Sequence, residues 1–476
     1  MLRANQRPPS VLGDDPFSHA LGPPAYESDY ERHARLEREI EAKRISDRID
    51  DEIRRDKERF KRAKQDVKLL LLGQAESGKS TLQKQFQLLH SPASLDAERA
   101  SWKIVIFYNV VHAIRSILNG LENWGHLVHQ DLSQPRSNSS EEGESFTPVT
   151  RSSITQLRLR LTALVAVEQV LADRLSGGLK ITGGGKNGVY VRSGWQVTTQ
   201  VSVTRNKGKG KARSTGNTPE DTDPDELIAD VARRLQIARD DIISLHNHPA
   251  VAKLLDKKKI RLEEWSEFFL DQINRIAERG YVPTIDDVLH ARIQTIGIAE
   301  HAFVVQHNNR TVQWRMYDVG GARGQRHTWA PFFDDANAII YVAPISAYDQ
   351  YLEEDPLTNR IEDSIQLFSQ ICANKLLKNV HLVLFLNKTD LLKKKLARGT
   401  RVSKYITSYG KRPNEYEAVS NYFKTHFVQV HRSNNPGQRV LYIHMTSVVD
   451  TKATQTVIIN VRDSIFRGYL KDAALV

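Results

Sequence analysis

Gly73-Gln74-Ala75-Glu76-Ser77-Gly78-Lys79-Ser80-Thr81 is the stretch that decides the fold. It follows the apolar run Val67–Leu72 and precedes the helix-prone segment 82–89, so strand, glycine loop and helix stand in the order phosphate binding requires. In such a loop the backbone N–H groups and the helix N-terminus surround phosphate oxygens. Lys79 reaches the β/γ oxygens and the Ser80 hydroxyl takes a place on Mg²⁺. Gly78 lets the backbone approach closely. By itself the motif names neither the base nor the reaction.

The base is read from Phe385-Leu386-Asn387-Lys388-Thr389-Asp390, at the end of the apolar run 380–386. A carboxylate in the plane of a purine accepts from both N1–H and the 2-amino group of guanine, and adenine offers no such pair. Asp390 therefore selects guanine, while the Lys388 stem packs along the ring and Asn387 braces the loops. Between the two motifs lies Tyr317-Asp318-Val319-Gly320-Gly321, after the strand-like segment 312–317. Asp318 is placed to orient a Mg²⁺ water, and the Gly321 N–H to bond a γ-phosphate. The three elements together predict a GTP-binding α/β domain. A P-loop ATPase or kinase is disfavoured by Asn387-Lys388-x-Asp390.

With these motifs in place the chain resembles the α subunits of heterotrimeric G proteins, over roughly residues 28–130 and 226–476. Asp287-Val288-Leu289-His290-Ala291-Arg292-Ile293-Gln294-Thr295-Ile296-Gly297 is similar to that family's first switch. The resemblance implies that Leu289, His290 and Ala291 border the nucleotide together with Gly73, Ser77 and Thr81. It makes Arg292 a built-in arginine finger and Thr295 the second Mg²⁺ ligand beside Ser80. Glu76 is expected to pair with Arg292 when the γ-phosphate is absent. Tyr281-Val282-Pro283-Thr284, Asn359-Arg360-Ile361-Glu362-Asp363-Ser364 and Leu470-Lys471-Asp472 extend the likeness.

Phosphoryl transfer to water needs charge neutralisation and positioning more than covalent chemistry. Lys79, Mg²⁺ and Arg292 supply the first, and two departures touch the second. Where the family has a glutamine that orients the attacking water, this chain has Ala322. Ala75 replaces a glycine, with its Cβ towards the space for that water. Gln325, three residues on, is expected to face another side of the switch helix, so slow turnover is predicted. The family's Thr-Cys-Ala-Thr turn becomes Thr446-Ser447-Val448-Val449, with the Val448 N–H expected on guanine O6.

Composition agrees with this reading. The chain has 476 residues, 40% of them hydrophobic and 26% charged, enough for two domains and appendages. No uninterrupted apolar run reaches a bilayer span, and no secretory signal stands at the start. The single Cys372 excludes an internal disulfide framework and is expected as a small packed residue. A formal charge of +11 favours acidic surfaces. With no basic stripe interleaved with aromatics, inner-leaflet lipid is a better candidate than nucleic acid.

The organisation predicted is a Ras-like P-loop GTPase domain, a doubly wound sheet over 67–92 and 289–476, with an all-helical domain inserted at 93–288. Helical patterns cover 102–121, 154–175, 226–239 and 262–276. Within the helical domain, about 177–224 is low-complexity material. Residues 189–191 and 197–203 there alternate as a hairpin would, while the flanking composition favours a mobile loop. Residues 1–27 form a disordered tail and 28–66 a charged amphipathic helix, with a narrow stripe of Leu36, Ile40, Ile45, Ile49, Ile53 and Phe60.

By resemblance that helix docks on a βγ dimer and the C-terminal tail is gripped by a seven-helix receptor, with an effector left unidentified. Ala473 and Ala474 depart from the family's tail. Leu2 and the absence of an early cysteine remove the usual lipid anchors. The expected location is cytoplasmic, peripheral at the inner face of the plasma membrane through partners or charge. The competing reading is a largely non-catalytic, GTP-bound scaffold.

Overall fold

The structure is a computed structural model. It describes residues 26, 28–63, 66–130, 148–177, 190–191, 195, 224–257, 259–260, 262–295, 297–307, 310–435 and 439–472. Most of the expected N-terminal tail, most of the 177–224 insert and the tail residues Ala473 and Ala474 lie outside them. The chain divides into two compact units, Met1–Asp66 and Val67–Val476.

In the first unit, helix α1 spans Asp29–Ala63. Ser28 caps it: Glu31 N donates to Ser28 Oγ (3.4 Å) and Ser28 N to Glu31 Oε2 (3.0 Å), a reciprocal box that satisfies two orphan amides. Arg35–Glu39 and Arg54–Asp51 ion pairs lie along its flank. Leu36, Ile40, Ile45, Ile49 and Ile53 are exposed, as the sequence pattern anticipates.

In the second unit, one six-stranded sheet runs in the order β4-β5-β1-β6-β7-β8. Its strands are β1 (Val67–Leu72), β4 (Ile298–His307), β5 (Arg310–Val319), β6 (Ala338–Pro344), β7 (His381–Asn387) and β8 (Leu441–Met445). All neighbours are parallel except the edge pair β4–β5. Period-2 alternation splits β1 between two cores. Leu69 and Leu71 join Phe86, Trp314, Phe385 and Phe466 on one face. Leu70 and Leu72 join Tyr341, Phe368 and Phe423 on the other. Burial on both faces is why these strands read as nearly unbroken apolar runs.

The helices on these faces are α2 (Lys79–His90), α12 (Arg360–Ala373), α13 (Thr389–Ala397), α14 (Tyr416–Ser433) and α15 (Thr451–Asp472). Cys372 sits buried in α12, as expected.

A third core is built mainly of helices. It gathers α3 (Pro92–Glu98), α4 (Trp102–Gln130), α5 (Pro148–Val165), α6 (Glu168–Ser176), α7 (Pro224–His246), α8 (Pro249–Asp256), α9 (Glu264–Asp271), α10 (Ile273–Ile276) and α11 (Ile285–His290). The stretch Pro92–Trp124, from α3 into α4, is long and apolar enough to cross a membrane, yet Val105, Ile106, Phe107, Val110, Val111 and Ile114 are fully buried in this core. The segment 262–276 breaks into α9 and α10 at Gln272, whose ψ of 10° leaves the helical region.

From the insert, β2 (Tyr190–Val191) pairs in parallel with β3 (Gln294–Thr295), Val191 opposite Thr295. The first switch, about a hundred residues away in the sequence, is thus one partner of this strand, while the other arm of the hairpin pattern, 197–203, lies outside the described residues. Burial accompanies the pairing: Val191 is 2% exposed and Trp195 meets Trp102 edge-on at 5.0 Å.

Candidate functional site

Strand register brings the motifs together. Leu71 lies opposite Asp318 and Pro344 opposite Asn387, so the phosphate loop, the end of β5 and the end of β7 share the C-terminal edge of the sheet. A cavity of about 340 Å³ opens there, walled on its other side by α9.

At one end the loop wraps the start of α2. Gly78, at its N-cap, has φ +104°, and a Cβ there would stand 2.4 Å from Asn387 Nδ2, so only glycine fits. Lys79 Nζ donates to the carbonyls of Gly73 (3.0 Å) and Gln74 (2.8 Å). Burial draws its pKa down to about 8, against the pull of Asp318. Gly321 closes on the loop: a Cβ there would meet Ala75 N at 2.5 Å and Lys79 Nζ at 2.6 Å.

Beside the lysine, Ser80 Oγ donates to Asp318 Oδ2 (2.5 Å) and lies 3.3 Å from Thr295 Oγ1, which donates to the same oxygen (3.5 Å). Asp318 Oδ1 is buried with no hydrogen-bond partner, and burial raises this carboxyl's pKa. Two hydroxyls and a carboxylate are hard oxygen donors that fit Mg²⁺ bound partly through water, and the orphaned oxygen is what such an ion satisfies.

At the other end Asn387 joins three loops. Its Nδ2 donates to Ser77 O (2.8 Å), and its Oδ1 accepts from Val448 N (3.1 Å) and Thr446 Oγ1 (3.2 Å). The Val448 N–H, expected to face the base, is thus engaged by Asn387. Lys388 is held at φ 65° and is ion-paired with Glu264. Asp390 lines the cavity with Oδ1 buried and unpartnered.

Arg292 crosses the middle, ion-paired with Glu76 of the loop and Glu263 at the start of α9. Burial lowers its pKa, but the two carboxylates outweigh this and raise it, so it stays charged. The other Glu76 oxygen accepts from Arg360 (2.9 Å), whose Nη2 donates to Ala75 O (2.6 Å). The backbone of Arg292 is held by α4: Arg292 N donates to Asn109 Oδ1 (2.9 Å) and Asn109 Nδ2 to Arg292 O (3.0 Å). Lys84 Nζ, over the Trp102 ring, donates to Val288 O (2.6 Å).

Of the residues singled out from sequence, Glu76, Gly78, Lys79, Ser80, Thr81, Leu289, His290, Ala291, Arg292, Thr295, Gly321, Asn387, Lys388, Asp390 and Val448 line the cavity. Gly73, Ser77 and Asp318 stand behind them and support the lining through the bonds above. Thr81 Oγ1 donates to Leu289 O (3.4 Å), and His290 stacks on Phe268 with centroids 3.8 Å apart. Sequence reasoning missed Asn109, Glu263 and Glu264. It also misplaced Gln325, which lines the cavity. Ala322 is extended and only caps the 3-10 run Arg323–Phe332, and Gln325 N donates back to Ala322 O (2.9 Å), a turn that leaves both residues on the cavity wall.

A phosphate loop, a hydroxyl–carboxylate corner for Mg²⁺ and an unpartnered carboxylate at the base end define a guanine-nucleotide-binding protein built on a Ras-like sheet with a helical insert. The chain matches the G-protein alpha subunit family over residues 43–465, and it belongs to that family. It is similar to the guanine nucleotide-binding protein alpha-4 subunit of Mycosarcoma maydis, at 30% identity over 97% of this chain and 96% of the relative. It is likewise similar to the guanine nucleotide-binding protein subunit alpha of Candida albicans, at 29% over 92% and 96%. The G(o) subunit alpha of Geodia cydonium is 28% identical over 92% and 97%. Family members are GTPases that bind guanine nucleotides in signal transduction and work with βγ dimers and receptors.

Proposed function

We propose that this chain is a guanine-nucleotide switch that takes GTP or GDP with Mg²⁺, couples a seven-helix receptor to effectors and a βγ dimer, and hydrolyses GTP slowly. Asp390 carries the choice of base. A buried carboxylate oxygen without a donor is costly, and the paired donors of guanine satisfy it where adenine cannot.

Lys79 and Arg292 neutralise charge on the phosphates and the Gly321 N–H donates to the γ-oxygens. Glu76 holds Arg292 between turnovers. Ser80, Thr295 and, through water, Asp318 would hold Mg²⁺, which would supply further positive charge to the phosphates. Ala322 offers a methyl group where a water-orienting carboxamide is usual, and Ala75 adds a Cβ to the same wall, which supports slow turnover.

The exposed stripe of α1 supports docking on βγ, and its basic end supports contact with anionic lipid at the inner face of the plasma membrane. The C-terminal tail is the receptor-facing end in this reading. A GTP-bound scaffold is the second reading, supported by Ala322 alone.

Calorimetry on Mg²⁺-supplied full-length protein should show guanine nucleotides bound and adenine nucleotides not; equal binding refutes the base assignment. Single-turnover hydrolysis should rise on Ala322→Gln, and an unchanged rate refutes the account of slow turnover. GDP carried through purification supports the switch, and GTP the scaffold.

A further inference from the structure

We propose that Gln325 is the water-orienting carboxamide of this chain, an imperfect stand-in for the group absent at Ala322 that sustains the slow turnover proposed above. The inference rests on the GTPase reading above and names the residue through which that activity runs.

Its placement follows from backbone geometry. Ala322 caps the 3-10 run with an extended ψ of 146°, and Gln325 N donates back to Ala322 O at 2.9 Å. That return bond folds the chain back on itself, and Ala322 and Gln325 both line the cavity. The run is pinned on both sides of it. Arg323 pairs with Asp355 (3.0 Å) and Arg326 with Asp363 (2.6 Å). Those ties hold the flanking arginines against α12 and the segment before it, and Gln325 turns inward between them.

The carboxamide arrives where a γ-phosphate and its water belong. A Cβ on Gly320 would fall 1.7 Å from Gln325 Oε1 and 3.1 Å from the Thr295 carbonyl oxygen. The amide therefore packs on the Gly320 backbone, next to the N–H of Gly321 and close to the first switch. It lines the same cavity as Lys79, Ser80 and Thr295. Among the described residues none hydrogen-bonds the Gln325 side chain, so both its donor and its acceptor are available. A carboxamide can accept a proton of the water through Oε1 and donate to a γ-oxygen through its NH₂, which a methyl group cannot. In the reaction the water oxygen bonds the γ-phosphorus. The bond to the β,γ-bridging oxygen breaks with its electron pair left on GDP, and the water's protons end on the released phosphate.

The test uses full-length protein in four forms: wild type, Q325A, A322Q and A322Q/Q325A. Two quantities are read in each, single-turnover GTP hydrolysis and the calorimetric affinity for GDP with aluminium fluoride, a mimic of the phosphoryl group in flight. Q325A should lose roughly tenfold or more in both, a typical cost for one group that orients a reactant. GTP and GDP affinities should stay within about twofold, which also reports that the variant is folded. A322Q/Q325A should recover both. The inference is overturned if Q325A matches wild type in both readouts, or if wild type binds GTP without hydrolysing it. Failure of wild type to bind guanine nucleotide is a different result, and it sinks the GTPase reading itself.

Discussion

Lys388, in the loop that closes β7, is ion-paired with Glu264 at the N-terminus of α9, so the base end of the cavity is bridged from the sheet to the helical layer. Burial alone would raise the Glu264 pKa, but Lys388, Lys395 and Arg360 together outweigh it and lower it, so the carboxylate is charged. The neighbouring Glu263 is ion-paired with Arg292. Two consecutive carboxylates thus fasten the helical wall to a base-loop cation and a phosphate-end cation.

Glu264→Gln should therefore speed GDP release. One partly buried ion pair is worth about 1 kcal/mol, so a rise of roughly fivefold in the dissociation rate of a fluorescent GDP analogue is expected. An unchanged rate would mean that the bridge is broken whenever nucleotide is bound.

Acid should loosen the loop through Glu76. Burial pushes its pKa up, but Arg292, Arg360 and Lys388 outweigh it and hold it down at about 2, below the usual 4.5. A carboxylate depressed on folding stabilises the folded state above its unfolded value and loses that contribution as pH falls towards the folded one. The unfolding temperature should drop as pH falls from about 4.5, and Glu76→Gln should drop less steeply over that window. Parallel curves for the two proteins would rule this out.

Gly78→Ala should abolish tight nucleotide binding. A side chain at φ +104° costs about 1–3 kcal/mol in backbone strain, and the new methyl would strike Asn387, which joins the loops. Calorimetry finding wild-type GTP affinity in this variant would contradict the packing described.

The insert strand offers a fourth check. Val191→Asp places a charge in the helical core where Val191 is 2% exposed and unzips the pairing with Thr295. Amide exchange at Gln294 and Thr295 should accelerate relative to β1, whose amides serve as the internal reference. Equal protection in variant and wild type would show that β2 does not hold the switch.

The sheet was legible because buried parallel strands leave unbroken apolar runs, and β1 was read with its observed ends. The antiparallel edge strand β4 was not named: Glu300, His301 and the exposed Val304 interrupt its pattern. Phosphate and base loops announce themselves because few sequences satisfy their backbone and donor requirements. Glu263 and Glu264 carry no such signature, since acids at a helix start are ordinary. The Gln325 misreading has a sharper cause. The expectation placed Ala322 in the switch helix, whereas its backbone is extended and the helical run begins at Arg323, a boundary that no residue of the stretch declares.

Asn109 grips the main chain of Arg292 from α4, while the guanidinium reaches across to Glu76. The finger is thus hinged on the roof and not on the floor of the chamber. Any swing wide enough to let a nucleotide escape carries that cation away with it, so unloading and disarming are one movement.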